Sequence, residues 1–163
     1  MSPGILTILV VSLGTFLLAL NAQQKEQAMS STPRTHALSK ITVHSSDAKP
    51  YDQSVNPALM EIRISETFSG DLEGESTVHA LQVQRNDKSA SMVSLQRFNG
   101  TLGGRHCTFV LLGSETVENG MIKATWFVVP GSGTDELSGL RGEGGFAGSF
   151  GKGSDGTLDY WFE

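Results

Sequence analysis

The sequence predicts an all-β fold, a closed or nearly closed antiparallel barrel of about eight strands. Three observations carry this. Apolar, β-branched runs of strand length recur from residue 40 onward, separated by clusters of Gly, Asn, Asp, Ser and Pro that form turns. Met60, Ile62 and Ile64 alternate with Glu61, Arg63 and Ser65, the period of two that gives a strand one buried face. No window beyond the N-terminal region has helical periodicity. Antiparallel strands that follow one another in sequence most simply close on themselves, which leaves no exposed edge.

The elements follow in order. Ile41 to Ser45 reads as a short first strand, and DAKPYDQSVNP as the polar loop after it. The alternating run through Ile64 is the second strand. Residues 76–85, 90–98, 105–112, 121–129, 137–150 and 157–162 supply the rest. The connections GDLEGE, RNDKS, NGTLGG, VENGM and PGSGTDE are rich in turn formers, and Asn99-Gly100 and Asn119-Gly120 are the dipeptides that type I′ hairpins favour. Gly70-Asp71-Leu72-Glu73-Gly74 recurs as Gly100-Thr101-Leu102-Gly103-Gly104, a pair of similar barrel corners. In the stretch Val128 to Phe146, glycines 131, 133, 139, 142, 144 and 145 mark tight turns or close chain approach.

Residues 5–20 are apolar and uncharged, shorter than the roughly 20 residues of a bilayer span. With a plausible cleavage point after Ala22, residues 1–22 read as a signal peptide and the product as periplasmic or secreted. The alternative is a membrane anchor formed by an uncleaved 5–20 segment. Residues 23–39 read as a flexible spacer and 40–163 as the barrel domain. Cys107 is the single cysteine, so no internal disulfide forms, and its apolar neighbours predict a buried thiol. Twelve Lys and Arg residues are scattered against a net charge of -5, which argues against nucleic acid as a partner.

Several segments resemble one bacterial family in order: FSGDLEGEST, GTLGGR, VVPGSGTDELSGLRGEGGF and the terminal GTLDYWFE. On these motifs, residues 41–163 resemble the family DUF3224, whose function is uncharacterised. The fold of that family is similar to the allene oxide cyclase barrel, and the Val128–Gly142 pattern also resembles that of the plant dirigent proteins. The resemblance implies a small eight-stranded barrel, often a homo-oligomer, with an apolar organic ligand inside. Ser94 and Gln96 stand where Gly-x-Glu is commoner in the family, and Cys107 where Gly is usual. Gln96 cannot ionise as that glutamate would. No catalytic residue of the cyclase carries over as a local motif.

The residues themselves offer few chemical candidates. Glu66 continues the alternation of Met60, Ile62 and Ile64, so a regular strand aims its carboxylate into the interior, where desolvation raises its pKa. The bland alternative is a strand end or bulge that leaves Glu66 in water. Arg141 is either an anion contact or one half of a structural ion pair. Trp126 and Tyr160 either line a pocket or pack in the core. Gln96 is a candidate polar contact for a ligand. His36, His44, His79 and His106 lack metal-ligand spacing, so no metal is expected, and no nucleotide or serine-hydrolase motif is present in its required context. No cofactor is implied.

The expectation is an exported barrel that binds a small apolar molecule inside. Glu66 is the candidate catalytic residue if the protein is instead a cofactor-free isomerase or cyclase. Gln96, Arg141, Trp126 and Tyr160 are the candidate ligand contacts. A third reading is a solid barrel that serves as a structural or oligomerisation module.

Overall fold

The computed structural model describes residues 32–163. Its eight strands form a closed antiparallel meander in sequence order. They are β1 (Thr35–Asp52), β2 (Leu59–Gly70), β3 (Leu72–Asn86), β4 (Ser89–Leu102), β5 (Arg105–Glu118), β6 (Met121–Val128), β7 (Leu140–Ser149) and β8 (Gly153–Phe162). β1 closes the barrel against β8, from Thr35 opposite Tyr160 to Ile41 opposite Ser154. Beyond Ile41, β1 leaves β8 and pairs with β2 alone as far as Asp52, with a register shift between Val43 and Ser45.

The predicted barrel is therefore present, with corrections to its elements. β1 is far longer than residues 41–45. Residues 35–39, read as the end of the spacer, belong to the barrel wall, and most of the supposed polar loop is strand. Residues 45–52 are exposed, so their sequence carries no alternation to announce a strand. Asn119 and Gly120 both have positive φ, as a type I′ turn requires. Asn99 and Gly100 do not form a turn. They lie within β4, opposite Glu75 and Gly74 of β3. The predicted strand 137–150 is a 3-10 turn at Asp135–Leu137 followed by β7. The export segment and most of the spacer, residues 1–31, lie outside the described residues, as does the Cys107 side chain.

The two similar glycine motifs are two halves of one corner. Leu72 faces Leu102 and Gly74 faces Gly100 across the β3–β4 pair. A Cβ on Gly100 would lie 2.1 Å from the Glu73 carbonyl oxygen, and one on Gly74 2.3 Å from that of Asn99. Gly74 also has φ of 152°, outside the range of L side chains. The strands thus cross closely because both positions are bare.

Alternation divides the interior into two apolar clusters. The larger fills the end where β1 begins and β8 finishes, with Phe68, Phe98, Phe109, Trp126 and Leu158 packed together and Leu137 of the 3-10 turn fully buried among them. Phe68 meets Phe98 edge-on at 5.6 Å between centroids. Each buried phenylalanine contributes about 2–3 kcal/mol through apolar area removed from water. The smaller cluster contains Ile62, Ala80, Ala90, Met92 and Val117 and lies toward the opposite end, beside the hairpins that join β3–β4 and β5–β6.

Gly100→Ala is expected to destabilise the barrel by about 1–3 kcal/mol, because backbone on the facing strand cannot yield to the added methyl as a side chain would. Urea denaturation checks this: a midpoint equal to that of the wild type would show that the corner relaxes freely.

Candidate functional site

Between the two apolar clusters, four adjacent strands turn polar side chains inward. On β2, Glu66 stands between Ile64 and Phe68; on β3, Ser76 between the buried Leu72 and Ala80. Ser94 and Gln96 on β4 lie between Met92 and Phe98, and Glu115 on β5 lies between Leu111 and Val117. Ser76, Ser94, Gln96 and Glu115 are all buried. β2 stays regular through Glu66, which faces Ser76 directly, while the bulge falls on β1 opposite. The regular alternation therefore delivers the Glu66 carboxyl to the interior.

The belt is wired by two sets of hydrogen bonds. Gln96 Nε2 donates to Glu66 Oε2 at 2.8 Å and lies 2.7 Å from Ser76 Oγ, whose hydroxyl reaches the same carboxylate oxygen at 3.3 Å. Ser94 Oγ donates to Glu115 Oε1. Glu115 Oε2 is buried and has no hydrogen-bond partner. Gly113 leaves room for this arrangement: a Cβ there would lie 2.3 Å from Glu115 Oε1 and 2.6 Å from Ser94 Oγ.

Burial pushes the Glu66 carboxyl up to about 7, and the neighbouring Glu115 carboxylate pushes the same way, against the hydrogen bonds from Ser76 and Gln96. Burial likewise raises Glu115, opposed by the Ser94 hydroxyl and its own backbone amide. Glu66 thus exchanges a proton near neutrality, and the pair resists carrying two charges at once.

These carboxyls line a cavity of about 260 Å³. Ile41, Ile62, Ile64, Met92, Ile122 and Phe146 form much of its apolar wall, and it reaches the surface beside Phe150, where β1 has parted from β8. A larger depression of about 570 Å³ lies on the outer wall around Arg63, His79 and Arg97, but it is open to solvent. Small inward residues, among them Ala80 and Ser94, leave the cavity hollow.

Of the sequence candidates, Glu66 and Gln96 lie in this cavity and touch each other. Trp126, Tyr160 and Arg141 are not among its lining residues. Trp126 is buried in the larger cluster against Phe68 and Phe146, with Nε1 donating to the Thr157 carbonyl at 3.0 Å. Tyr160 packs on that cluster and against Phe162. Arg141 pairs with Glu163 at 2.7 Å and donates to the Leu140 carbonyl at 3.2 Å, which makes it a structural ion pair at the packed end. Sequence reasoning missed Glu115, Ser94 as its partner, and Ser76. Glu115 shares the inward face of Phe109, Leu111, Gly113 and Val117, but apolar Val110 and Leu112 stand between the first of these and weaken the period of two. Among the described residues, no group of three or more His, Cys, Asp and Glu is placed to hold a metal.

The Glu66 proton links this site to stability. Its folded pKa of about 7 lies above the ordinary 4.5, so the folded state binds the proton more tightly. Its contribution is full below pH 4.5, declines as pH rises to 7 and is then constant, a total of about 3 kcal/mol. Glu66→Gln is expected to flatten this decline and to be more stable than wild type above pH 7. Urea midpoints measured from pH 4.5 to 8 check it, and identical profiles for the two proteins would exclude the raised pKa.

A family model described as "Protein of unknown function (DUF3224)" matches residues 37–163. A solved structure of a protein with unknown function from the same family, from Shewanella oneidensis MR-1, is similar with 26% sequence identity and a TM-score of 0.64. The match covers 80% of this chain and 98% of that one. No curated protein matches. Fold, motif order and extent of the match agree: the chain belongs to the DUF3224 family.

Proposed function

We propose that the protein is an exported barrel that binds a small, largely apolar molecule in the cavity between the two core clusters. The observation that carries this reading is the enclosed space of about 260 Å³ with apolar walls and a few convergent polar groups. That combination is the usual character of a small-molecule site, here just below the usual size range of roughly 300–1,000 Å³. The ligand gains by removing apolar surface from water, while Glu66, Gln96, Ser94 and Glu115 fix its orientation. Export rests on the apolar run of residues 5–20.

An acid–base isomerase is the second reading, favoured by one observation: Glu66 faces the cavity with its pKa raised to about 7. A carboxyl poised there both gives and takes a proton at neutral pH. Self-association has separate support on the outer wall. Leu95, Leu112 and Phe127 are exposed and adjacent across β4, β5 and β6, with Leu81 opposite Val93 alongside. An apolar strip of this kind is suited to a second copy of the chain.

Naphthalene is expected to bind the wild type, and Ala80→Phe, which fills the cavity, is expected to weaken binding by about tenfold or more. Leu95→Phe on the outer wall is the control and should bind as the wild type does. Calorimetric titration decides: no binding to the wild type, or equal binding by Ala80→Phe, would sink the cavity reading. Native mass spectrometry of protein from its own cells then identifies what co-purifies. For self-association, Leu95→Glu with Leu112→Glu should lower the mass measured by light scattering, and a wild type that is already monomeric at high concentration would reject it.

A further inference from the structure

The charge inventory of the cavity is one-sided. Its lining residues include two carboxyls, Glu66 from β2 and Glu115 from β5, and no Lys, Arg or His. The lining residues from β1, β3, β4, β6, β7 and β8 carry no titratable group. Glu115 is only 6% exposed, yet its Oε2 has no hydrogen-bond partner. A buried carboxylate oxygen without a donor is costly, and a charge without a counter-charge costlier still. The two carboxyls are held by Gln96 and Ser94, which are two residues apart on one face of β4. Those two residues are about 7 Å apart along the strand, and the carboxyls they hold are near enough for Glu115 to raise the Glu66 pKa.

We propose that the ligand is a small apolar amine, whose ammonium group lies between Glu115 and Glu66 and whose hydrocarbon part fills the space lined by Ile62, Ile64, Met92 and Ile122. The inference rests on the cavity being a ligand site and specifies the chemistry of its occupant. An ammonium offers up to three donors and the opposite charge, so it gives Glu115 Oε2 a donor and offsets one of the two charges the pair can carry. An alcohol supplies a donor but leaves the charge in place. A carboxylate ligand adds a third acidic group to a site with no cation and is excluded by repulsion. The volume holds about nine groups of the size of water, which suits an amine of roughly that many heavy atoms.

The test compares n-octylamine, 1-octanol and octanoate, which share a chain and differ in head group, by calorimetric titration at pH 8. At that pH the amine is protonated and Glu66, with its pKa of about 7, is largely ionised. Octylammonium is expected to bind about tenfold or more tighter than octanol, with octanoate weakest. Its affinity should fall as the pH is lowered to 5, because protons compete for Glu66 and Glu115, while that of octanol stays level. Glu115→Gln should remove most of the preference for the amine and keep octanol binding. Octanol or octanoate binding as tightly as octylammonium overturns the inference and leaves the apolar cavity reading standing. A level pH profile for octylammonium, or an unchanged preference in folded Glu115→Gln, also overturns it. Failure of all three ligands to bind rejects the cavity reading itself. The pH profile needs only the wild type, so the test survives a variant that does not fold.

Discussion

Closing β1 onto β8 removes the freedom to hide an inconvenient side chain at a sheet edge. In an open sheet a strand can slip or fray so that a polar residue reaches water. Here each strand is paired on both sides over its barrel portion, and its alternate residues must enter the interior. Glu66, Ser76, Ser94, Gln96 and Glu115 are inward for that reason. The close β3–β4 crossing at Gly74 and Gly100 is part of the same closure, since a small barrel needs tight corners where two backbones nearly touch.

Given that inward set, electrostatics decides how the belt behaves. Desolvation acts against both carboxylates and hydrogen bonds act for them, and the balance differs between the two. Glu66 receives Gln96 and Ser76 on one oxygen, yet burial and the nearby Glu115 still hold it protonated to near neutrality. Glu115 has Ser94 on one oxygen and nothing on the other. The surface pairs, such as Lys40 with Asp155 at 3.2 Å, are exposed and contribute little by comparison. The two carboxyls whose pKa burial raises therefore both lie inside the wall.

The barrel and the inward direction of Glu66 were legible because period two is a strong signal wherever one face is apolar. The same signal was weaker in β5. There the inward positions 113 and 115 are Gly and Glu, so the apolar run breaks at Leu112 and the strand reads as ended, although it continues to Glu118. The long arm of β1 was silent for a different reason, since it covers no core and both its faces are wet. Asn99-Gly100 misled because the dipeptide favours a turn in isolation, whereas its glycine is needed for the approach of Gly74. Trp126 and Tyr160 were ambiguous, as aromatic residues are equally at home in a core and in a pocket. Only the packing, with the Trp126 donor already bonded to Thr157, separates the two.

The two ends of the interior are packed in different ways. Phe68, Phe98, Phe109 and Trp126 fill one end, and Leu137 seals it from the 3-10 turn. At the other end, Ala80 and Ser94 occupy inward positions on the cavity wall where larger side chains would fill the space. Stability of a domain is a small surplus over large opposing terms, so a hollow with an unpartnered carboxylate oxygen is a local cost that the packed end must offset. Evenly distributed large residues would give a solid barrel and bury the same surface without that cost. The segregation of bulk to one end, with polar groups at the boundary and small residues beyond it, leaves the second end hollow. On the reading proposed above, selectivity comes from the charge of the cavity floor, and the apolar wall leaves the shape of the occupant open.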